Sequence, residues 1–326
     1  MFTRRKFIKT SAAAAAGTMV TSSSLMKVIY GNPNIKNVGL QLWSIAKNFE
    51  KDFAGTLEMV SKIGYKEVEL FGPYSFSTEK DKTAWNSVGR MVGFSQSGYF
   101  NHTAKQFKEI LDSNGLTTPA MHVGLDTLRN KLNETAEAAH ILGQKYAGIA
   151  SIPEEERRTL DDYKRIADEF NVIGEKAKAL GIRFYYHNHG YGLKEVEGKI
   201  PFDIILEGTD PSLVYLEMDI FWTTAGSADP IKYLDGNPGR YKLMHVKDML
   251  KRVLFSGDGS NPQQWMELFP YITDAGSGVL DLKTILSHAQ KSGVEHFIVE
   301  NDVITNPKDS LEKGYKYLYS LKLSSP

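Results

Sequence analysis

The stretch LDDYKRIADEFNVIGEKAKALGIRFYYHNH, residues 160–189, contains a helix, a glycine and a strand in succession. Apolar residues recur every three or four positions as far as Leu180, as on one face of a helix. Gly181 stands where a left-handed residue ends many helices, and IRFYY is typical of a short buried strand. The strand ends in His187, Asn188 and His189. Imidazoles seldom lie in an apolar interior without a partner, so this strand end predicts metal ligands, acid/base groups or a polar rim.

The same unit recurs from residue 37 to the end of the chain. Several helix-like runs end in a glycine just before the next strand: Gly64, Gly115, Gly143, Gly181 and Gly293. The predicted strands are 37–44, 65–72, 118–125, 146–153, 182–189, 213–221, 241–249 and 295–302. Eight units without a linker predict an α/β fold, a closed (β/α)8 TIM barrel that forms a single domain over residues 31–326. An open doubly wound sheet is disfavoured because no Gly-x-Gly-x-x-Gly follows the first strand.

Two connections are longer than a barrel requires. Residues 73–101 follow the second predicted strand, and residues 250–278 follow the seventh. In a TIM barrel these connections lie on the face that carries the active site. Their length favours a lid over a substrate.

Charge and cysteine content exclude several classes of function. Lys plus Arg and Asp plus Glu both number 39, so no overall field attracts nucleic acid, and we expect no nucleic-acid partner. The chain has no cysteine, which excludes disulfides, thiolate metal sites and a cysteine nucleophile. Any bound metal must therefore be held by nitrogen and oxygen ligands.

The first residues resemble an export signal. Thr3-Arg4-Arg5-Lys6-Phe7-Ile8-Lys9 is close to the twin-arginine pattern, and an alanine-rich segment follows it. The apolar segment is too short for stable membrane insertion. We therefore expect residues 1–30 to be an export signal and linker, and the protein to be periplasmic. The twin-arginine route carries folded proteins, often with a cofactor in place, which favours a site loaded with metal.

Ionisable residues occur in pairs at the ends of four successive strands. The pairs are His187 and His189, Glu217 and Asp219, His245 and Lys247, and Glu300 and Asp302. Residues i and i+2 of a strand point the same way, so each pair shares one face at the rim where a barrel has its active site. The quartet His187, Asp219, His245 and Glu300 predicts a site for one divalent metal ion. Mixed nitrogen and oxygen ligands suit Mn²⁺, Zn²⁺, Co²⁺ or Fe²⁺ better than Ca²⁺ or Mg²⁺.

Structural roles are the alternative for some of these residues. Glu217 lies one pleat deeper than Asp219, and we expect it to pair with the inward-facing Arg183, because an unpaired carboxylate there would be costly. For Asp248 and Asp302 the alternative interpretation is that of solvated loop residues.

Motifs at these strand ends resemble a known family. LEMDIFW, LMHVKD and FIVEND, placed after YYHNH, are similar to the xylose isomerase-like TIM barrels called sugar phosphate isomerase/epimerases. The resemblance implies one divalent metal held by a strand-five Glu, a strand-six Asp, a strand-seven His and a strand-eight Glu. Asp219, His245 and Glu300 match this pattern. His187 replaces the first Glu, which keeps a ligand but removes one of two carboxylate bases.

The resemblance also implies roles for the residues around the metal. Glu300 would remove a proton α to a carbonyl, through an enediolate that the metal stabilises. His189 would be the acid/base group opposite Glu300. Lys247 would either stabilise the oxyanion or form a structural ion pair. Residues at the ends of strands one to three, together with Trp222 after strand six, would line the substrate side: Gln41, Trp43, Glu69, His122 and Trp222.

Three functions are compatible with this site. The first is a sugar isomerase or epimerase that acts on a small, non-phosphorylated sugar, since sugar phosphates are chiefly cytoplasmic. The second is a lyase that cleaves 3-keto glycosides by β-elimination. The third is a carbohydrate-binding barrel without catalysis. A three-zinc endonuclease is disfavoured by the balanced charge and the export signal, and a homo-oligomer is compatible with the sequence.

Overall fold

The computed structural model describes Ile35 and residues 37–323, so the predicted export signal in residues 1–30 lies outside the described residues. Eight parallel strands form the barrel: β1 (Val38–Gln41), β2 (Glu67–Phe71), β3 (Ala120–His122), β4 (Tyr146–Ile149), β5 (Arg183–His187), β6 (Val214–Asp219), β7 (Tyr241–Val246) and β10 (His296–Val299). They close in the order β1-β10-β7-β6-β5-β4-β3-β2. Each lies within a predicted strand, and the predicted TIM barrel is confirmed.

Helices surround the barrel. They are α1 (Ala46–Lys51), α2 (Phe53–Ile63), α3 (Glu79–Val92), α4 (Ala104–Ser113), α5 (Leu125–Asn130), α6 (Leu132–Leu142), α7 (Leu160–Ala179), α8 (Pro201–Gly208), α9 (Ile220–Ala225), α10 (Pro230–Gly236), α11 (Pro262–Leu268), α12 (Leu282–Ser292) and α13 (Pro307–Ser320). Within the described part of the chain, no helix combines the length and the apolarity needed to cross a membrane.

Helix α7 shows how local sequence produces the repeating unit. It begins at Thr159, whose side chain accepts from the backbone N–H of Asp162, while the Asp162 side chain accepts from the backbone N–H of Thr159. This reciprocal capping is worth about 1 kcal/mol. The apolar face then packs on β5, with the Phe170 ring 5.1 Å from that of Phe184. Gly181 follows the helix with φ of 78°, a conformation that lets the chain turn into β5.

The lumen of the barrel is filled in layers. Tyr146, Tyr185, Leu243 and Ile298 are fully buried and form an apolar plug. Gly148 on β4 makes room for this plug, because a Cβ there would lie 2.3 Å from the Tyr185 carbonyl oxygen and 2.5 Å from its ring. Polar side chains begin directly above the plug, towards the carboxyl ends of the strands. The plug therefore separates them from the opposite end of the barrel.

A small sheet outside the barrel orders the long connection after β7. Strand β8 (Asp248–Met249) pairs antiparallel with β9 (Ile272–Thr273). The Asp248 carboxylate accepts from the backbone N–H groups of Met249, Gly276, Gly278 and Leu280, at 2.8 to 3.2 Å. Asp248 is 1% exposed, so its interpretation as a solvated loop residue was wrong. Its carboxylate instead takes the place of water as the hydrogen-bond acceptor for four backbone N–H groups of the loop.

We predict that Gly148→Ala lowers the free energy of unfolding by about 2 kcal/mol, because the added methyl group must displace the Tyr185 backbone. Gly236→Ala is the matched control, since nothing lies within 4 Å of the corresponding Cβ position. The control should change the free energy of unfolding by less than about 1 kcal/mol. Urea unfolding followed by circular dichroism measures both. Equal stabilities of the two variants would contradict the packing of the plug.

Candidate active site

Strand pairing brings the predicted ionisable residues together at the carboxyl end of the barrel. Asp219 on β6 lies beside His245 on β7 in the register of the sheet. His245 Nδ1 lies 2.7 Å from Glu300 Oε2 and 3.8 Å from Asp219 Oδ2, and His187 Nε2 lies 4.0 Å from Asp219 Oδ2. The four predicted metal ligands are therefore neighbours. We call His187, Asp219, His245 and Glu300 the rim set.

The rim set fits a divalent cation. His187 Nε2, Asp219 Oδ2, His245 Nδ1 and Glu300 Oε2 are buried, and none makes an aligned hydrogen bond to a described residue. Buried polar atoms are rarely left in this state, because each forfeits the hydrogen bonds it made to water. Two imidazole nitrogens and two carboxylate oxygens are ligands that Zn²⁺, Mn²⁺ and Co²⁺ accept.

Lys247 lies next to the rim set, and its positive charge compensates part of the negative charge there. Its ammonium is 3.0 Å from Asp219 Oδ2, 2.7 Å from Glu300 Oε2 and 2.8 Å from Asp302 Oδ2. Burial would lower the pKa of Lys247, but the three carboxylates outweigh burial and raise this pKa well above its usual value. Burial raises the pKa of Asp302 to about 6, against the pull of Lys247. Asp302 is therefore an ion-pair partner, and its interpretation as a solvated loop residue was wrong.

A second cluster lies one layer deeper. His122 Nε2 is 2.8 Å from Glu217 Oε2, His187 Nδ1 is 3.1 Å from the same oxygen, and His245 Nε2 is 3.3 Å from Glu217 Oε1. We call His122, His187, Glu217 and His245 the inner set. Their ligand atoms also lie close enough to one another to hold a metal ion. Within the rim set, the ligand atoms of Asp219, His245 and Glu300 lie close enough to one another to hold an ion, whereas those of His187 group with the inner set, so the two groups share His245.

The sequence predicts an ion pair between Glu217 and Arg183, but the structure does not contain it. In the register of the sheet His187 lies beside Glu217, and Arg183 lies four residues below His187 on β5, too low to reach Glu217. Arg183 instead donates from Nη1 to the Tyr146 hydroxyl at 2.9 Å and lies over the Tyr215 ring. His122 instead pairs with Glu217 Oε2 at 2.8 Å, whereas Glu217 Oε1 makes no hydrogen bond to a described residue.

Glu69 connects the inner set to the floor of the site. Its carboxylate accepts from Gln41 Nε2 and from the Tyr185 hydroxyl, both at 2.8 Å, and lies 2.7 Å from His245 Nε2. Gln41, Glu69 and His122 are thus placed beneath the rim set and are already hydrogen-bonded within the protein. Their predicted contacts with substrate stay predictions.

The charges inside the lumen depend on burial and on neighbouring groups. Burial and the nearby Glu69 raise the pKa of Glu217 to about 7. Burial and the nearby His245 hold the pKa of His187 well below its usual value, so His187 is neutral and can act as a ligand. Burial alone would raise the pKa of Glu300, but Lys247 and His245 outweigh it and lower this pKa well below its usual range. Glu300 is therefore ionised.

The remaining predicted residues lie in aromatic surroundings. Burial and Lys247 lower the pKa of His189 to about 3, so this ring is neutral. The Trp222 backbone N–H donates to Asp219 Oδ1 at 2.9 Å, and its indole ring stacks on Phe255. Trp43 packs edge-on against the rings of Phe71, Trp85 and Phe94. The Asp219 cap fixes one carboxylate oxygen and leaves Oδ2 directed to the rim set.

Three residues around the site are not predicted by the sequence analysis. Trp265 on α11 lies 5.7 Å from the His189 ring, and Arg157 lies over the Tyr191 ring at 3.7 Å. All three belong to connections that follow barrel strands. The unusual length of residues 250–278 was the one signal for Trp265, whereas the positions of Arg157 and Tyr191 depend on contacts between separate loops.

Comparisons with known proteins agree with the fold. A family model described as xylose isomerase-like TIM barrel matches residues 57–321. The inosose dehydratase of Clostridium beijerinckii is 27% identical over 164 residues, which are 48% of this chain and 54% of that protein. The chain spans about half the length of the curated relatives that it matches.

Two solved structures share the fold. A sugar phosphate isomerase/epimerase from Parabacteroides distasonis superposes with a TM-score of 0.67 and 24% identity, over 89% of this chain and 96% of that chain. The IolI protein with a zinc atom has a TM-score of 0.62 and 15% identity, over 88% of this chain and 99% of that chain. At these identities the two structures establish the fold alone.

Substitutions can show which set holds the ion. Asp219 belongs to the rim set alone and His122 to the inner set alone, and we predict occupancy of the rim set. Asp219→Asn should lower the affinity for Zn²⁺ at least about 10-fold, because it removes a charged ligand, whereas His122→Gln should change it less than about 3-fold. Competition with a chromophoric chelator measures both affinities. The reverse order would place the ion in the inner set.

Proposed function

Because residues 57–321 match its family model, the chain belongs to the xylose isomerase-like TIM barrels, and we propose that it is a metal-dependent sugar-modifying lyase. In this proposal the enzyme removes the proton α to the carbonyl of a neutral polyhydroxy ketone and then expels the β-hydroxyl group as water. The observation that carries the proposal is the rim set, whose buried ligand atoms contact one another and the Lys247 ammonium as ion pairs but make no aligned hydrogen bond to a described residue.

The charges of the site favour a neutral substrate. The carboxylates of Asp219, Glu300 and Asp302 surround the ammonium of Lys247, which leaves two negative charges when His245 is neutral, as a metal ligand must be. One divalent cation would cancel them. An additional anionic group on the substrate would then be an uncompensated buried charge, which is costly. This balance supports a free keto sugar or keto cyclitol over a sugar phosphate.

The side chains around the substrate can move the required proton. A divalent cation held by the rim set would act as a Lewis acid that polarises the carbonyl oxygen. Glu300 is ionised and is our candidate to accept the α proton. Lys247 keeps its protons and can donate a hydrogen bond to the departing β-hydroxyl. The α C–H and β C–O bonds break and a C=C bond forms; the α proton passes from Glu300 to the departing hydroxide, so water leaves and Glu300 is ionised again.

His187 supports elimination over a symmetrical two-base reaction. It stands where the family resemblance implies a glutamate on strand five, which leaves Glu300 as our candidate in the rim set to carry a proton to or from carbon. Elimination needs one such base, whereas epimerisation needs a second group that returns a proton on the other face. The inosose dehydratases among the relatives also support a loss of water.

Sugar isomerisation or epimerisation is the second candidate, favoured by the family itself. It shares the first proton transfer, and the neutral His189 would stand opposite Glu300. Cleavage of a 3-keto glycoside differs from dehydration only in its leaving group, an alkoxide instead of hydroxide. The twin-arginine pattern of residues 3–9 supports a periplasmic location for this chemistry.

A deuterium experiment distinguishes these reactions. The Zn²⁺-, Mn²⁺- or Co²⁺-loaded protein is incubated in D2O with an inosose, a ketohexose and a 3-keto glycoside, and products are followed by NMR and mass spectrometry. We expect loss of water from the inosose. Deuterium at the α carbon without loss of water would favour isomerase or epimerase, and release of an aglycone would favour the glycoside lyase. No deuterium and no product with any ketone would contradict catalysis.

Glu300→Gln tests the base. We expect kcat to fall at least about 100-fold, because the amide cannot accept the α proton. Glu137→Gln is the control, since Glu137 lies exposed on α6, and it should retain activity. The metal content of both variants is measured, because Glu300 is also a ligand. Full turnover by metal-loaded Glu300→Gln would exclude Glu300 as the base.

A further inference from the structure

Two buried nitrogen atoms beside the site have no role in the proposed dehydration. Within the described part of the chain, neither His189 Nδ1 nor Trp265 Nε1 has a hydrogen-bond partner. The two rings lie 5.7 Å apart, with 48° between their planes. An indole N–H is a donor only and is normally paired when it is buried. Both atoms are therefore suited to meet hydroxyl groups of a bound molecule.

Aromatic rings surround these nitrogens. The His189 ring contacts His187 edge-on at 4.6 Å and Trp222 at 6.3 Å, and Trp265 lies 6.4 Å from the Tyr191 ring. Trp265 is half-buried, whereas Trp222 is 3% exposed. Trp265 is thus the outermost of these indoles. Its ring contacts that of His189, which in turn contacts the rim-set residue His187.

Cationic side chains tie the segment that precedes Trp265 to neighbouring loops. Arg157 lies over the Tyr191 ring, donates from Nε to the Ile152 carbonyl and from Nη2 to the Ser260 carbonyl, both at 2.8 Å. Lys194 donates to the carbonyl of Gly257. Arg157 comes from the connection after β4, and Lys194 from the connection after β5. The segment 257–260 is therefore anchored from two sides, which fixes where α11 begins.

We propose that Trp265 determines substrate specificity by forming a wall of the substrate site for a neutral cyclic polyol ketone, and that Arg157 is the positioning residue that holds this wall in place. A flat indole suits the C–H-rich face of a ring polyol, and its N–H suits a ring hydroxyl. This inference rests on the proposed function for the position of the reacting ketone above the rim set.

Binding of an unreactive ring polyol tests the wall without turnover. The probe is myo-inositol, titrated calorimetrically into the Zn²⁺-loaded protein. We expect Trp265→Ala to weaken binding at least about 10-fold, because it removes both the ring face and the donor. Trp265→Phe keeps a ring face and should lose about 3-fold. Trp85→Phe is the matched control, because the indole N–H of Trp85 is also buried without a partner in the described structure, yet its ring packs on Trp43 and Phe71.

A double variant tests the role of Arg157. Arg157→Met should weaken binding of the probe to a similar extent as Trp265→Ala, and the two effects combined should not exceed that of Trp265→Ala alone, because Arg157 acts through Trp265. Zn²⁺ content and the thermal unfolding midpoint are recorded for each variant. With an inosose, both single variants should raise KM more than they lower kcat.

These measurements test the role of Trp265 in binding separately from the proposed reaction. If Trp265→Ala binds myo-inositol with wild-type affinity, Trp265 does not form a wall of the substrate site. If the losses of affinity add up in the double variant, Arg157 does not act through Trp265. If the loaded wild-type protein binds no ring polyol, the proposed ligand class is wrong. If it binds myo-inositol through Trp265 but converts no ketone, the proposed function fails and the wall stands.

Discussion

The balance of negative charge inside the barrel is the constraint on which the rest of the structure depends. The carboxylates of Glu69, Glu217, Asp219 and Glu300 are each at most 5% exposed. A buried carboxylate without a partner costs several kcal/mol, so each needs a cation or hydrogen-bond donors. Lys247 and the histidines of the lumen supply part of this compensation. The part that they leave, at the rim set, is the physical reason to expect a divalent cation there.

The layered lumen follows from the same constraint. The apolar plug around Tyr185 and Leu243 keeps the carboxylates at one end of the barrel, while the Tyr185 hydroxyl donates to Glu69 just above it. The connections after the strands then enclose the other side, with Trp222 and Trp265 around His189. A site closed in this way strengthens each electrostatic contact within it, because the surroundings polarise less than water.

The sequence by itself determined the architecture and the residues with reactive side chains. Helical spacing, cap glycines such as Gly181 and the alternation of strands are local properties, so they can be read without knowing which strands are neighbours. All five predicted cap glycines have positive φ. Alternation also placed His187, Asp219, His245 and Glu300 on one face of their strands, and closure of the barrel made those faces converge.

Only the tertiary structure decided which of these residues touch. The sheet register sets His187 beside Glu217, which created the inner set and left Arg183 to Tyr146. A shift of two residues would keep every side chain on its face and still change each partner, so alternation carries no information about register. Loop contacts are equally non-local: Arg157 reaches the Ser260 carbonyl across 103 positions of the chain. Such contacts depend on distances in space, which local sequence patterns do not specify.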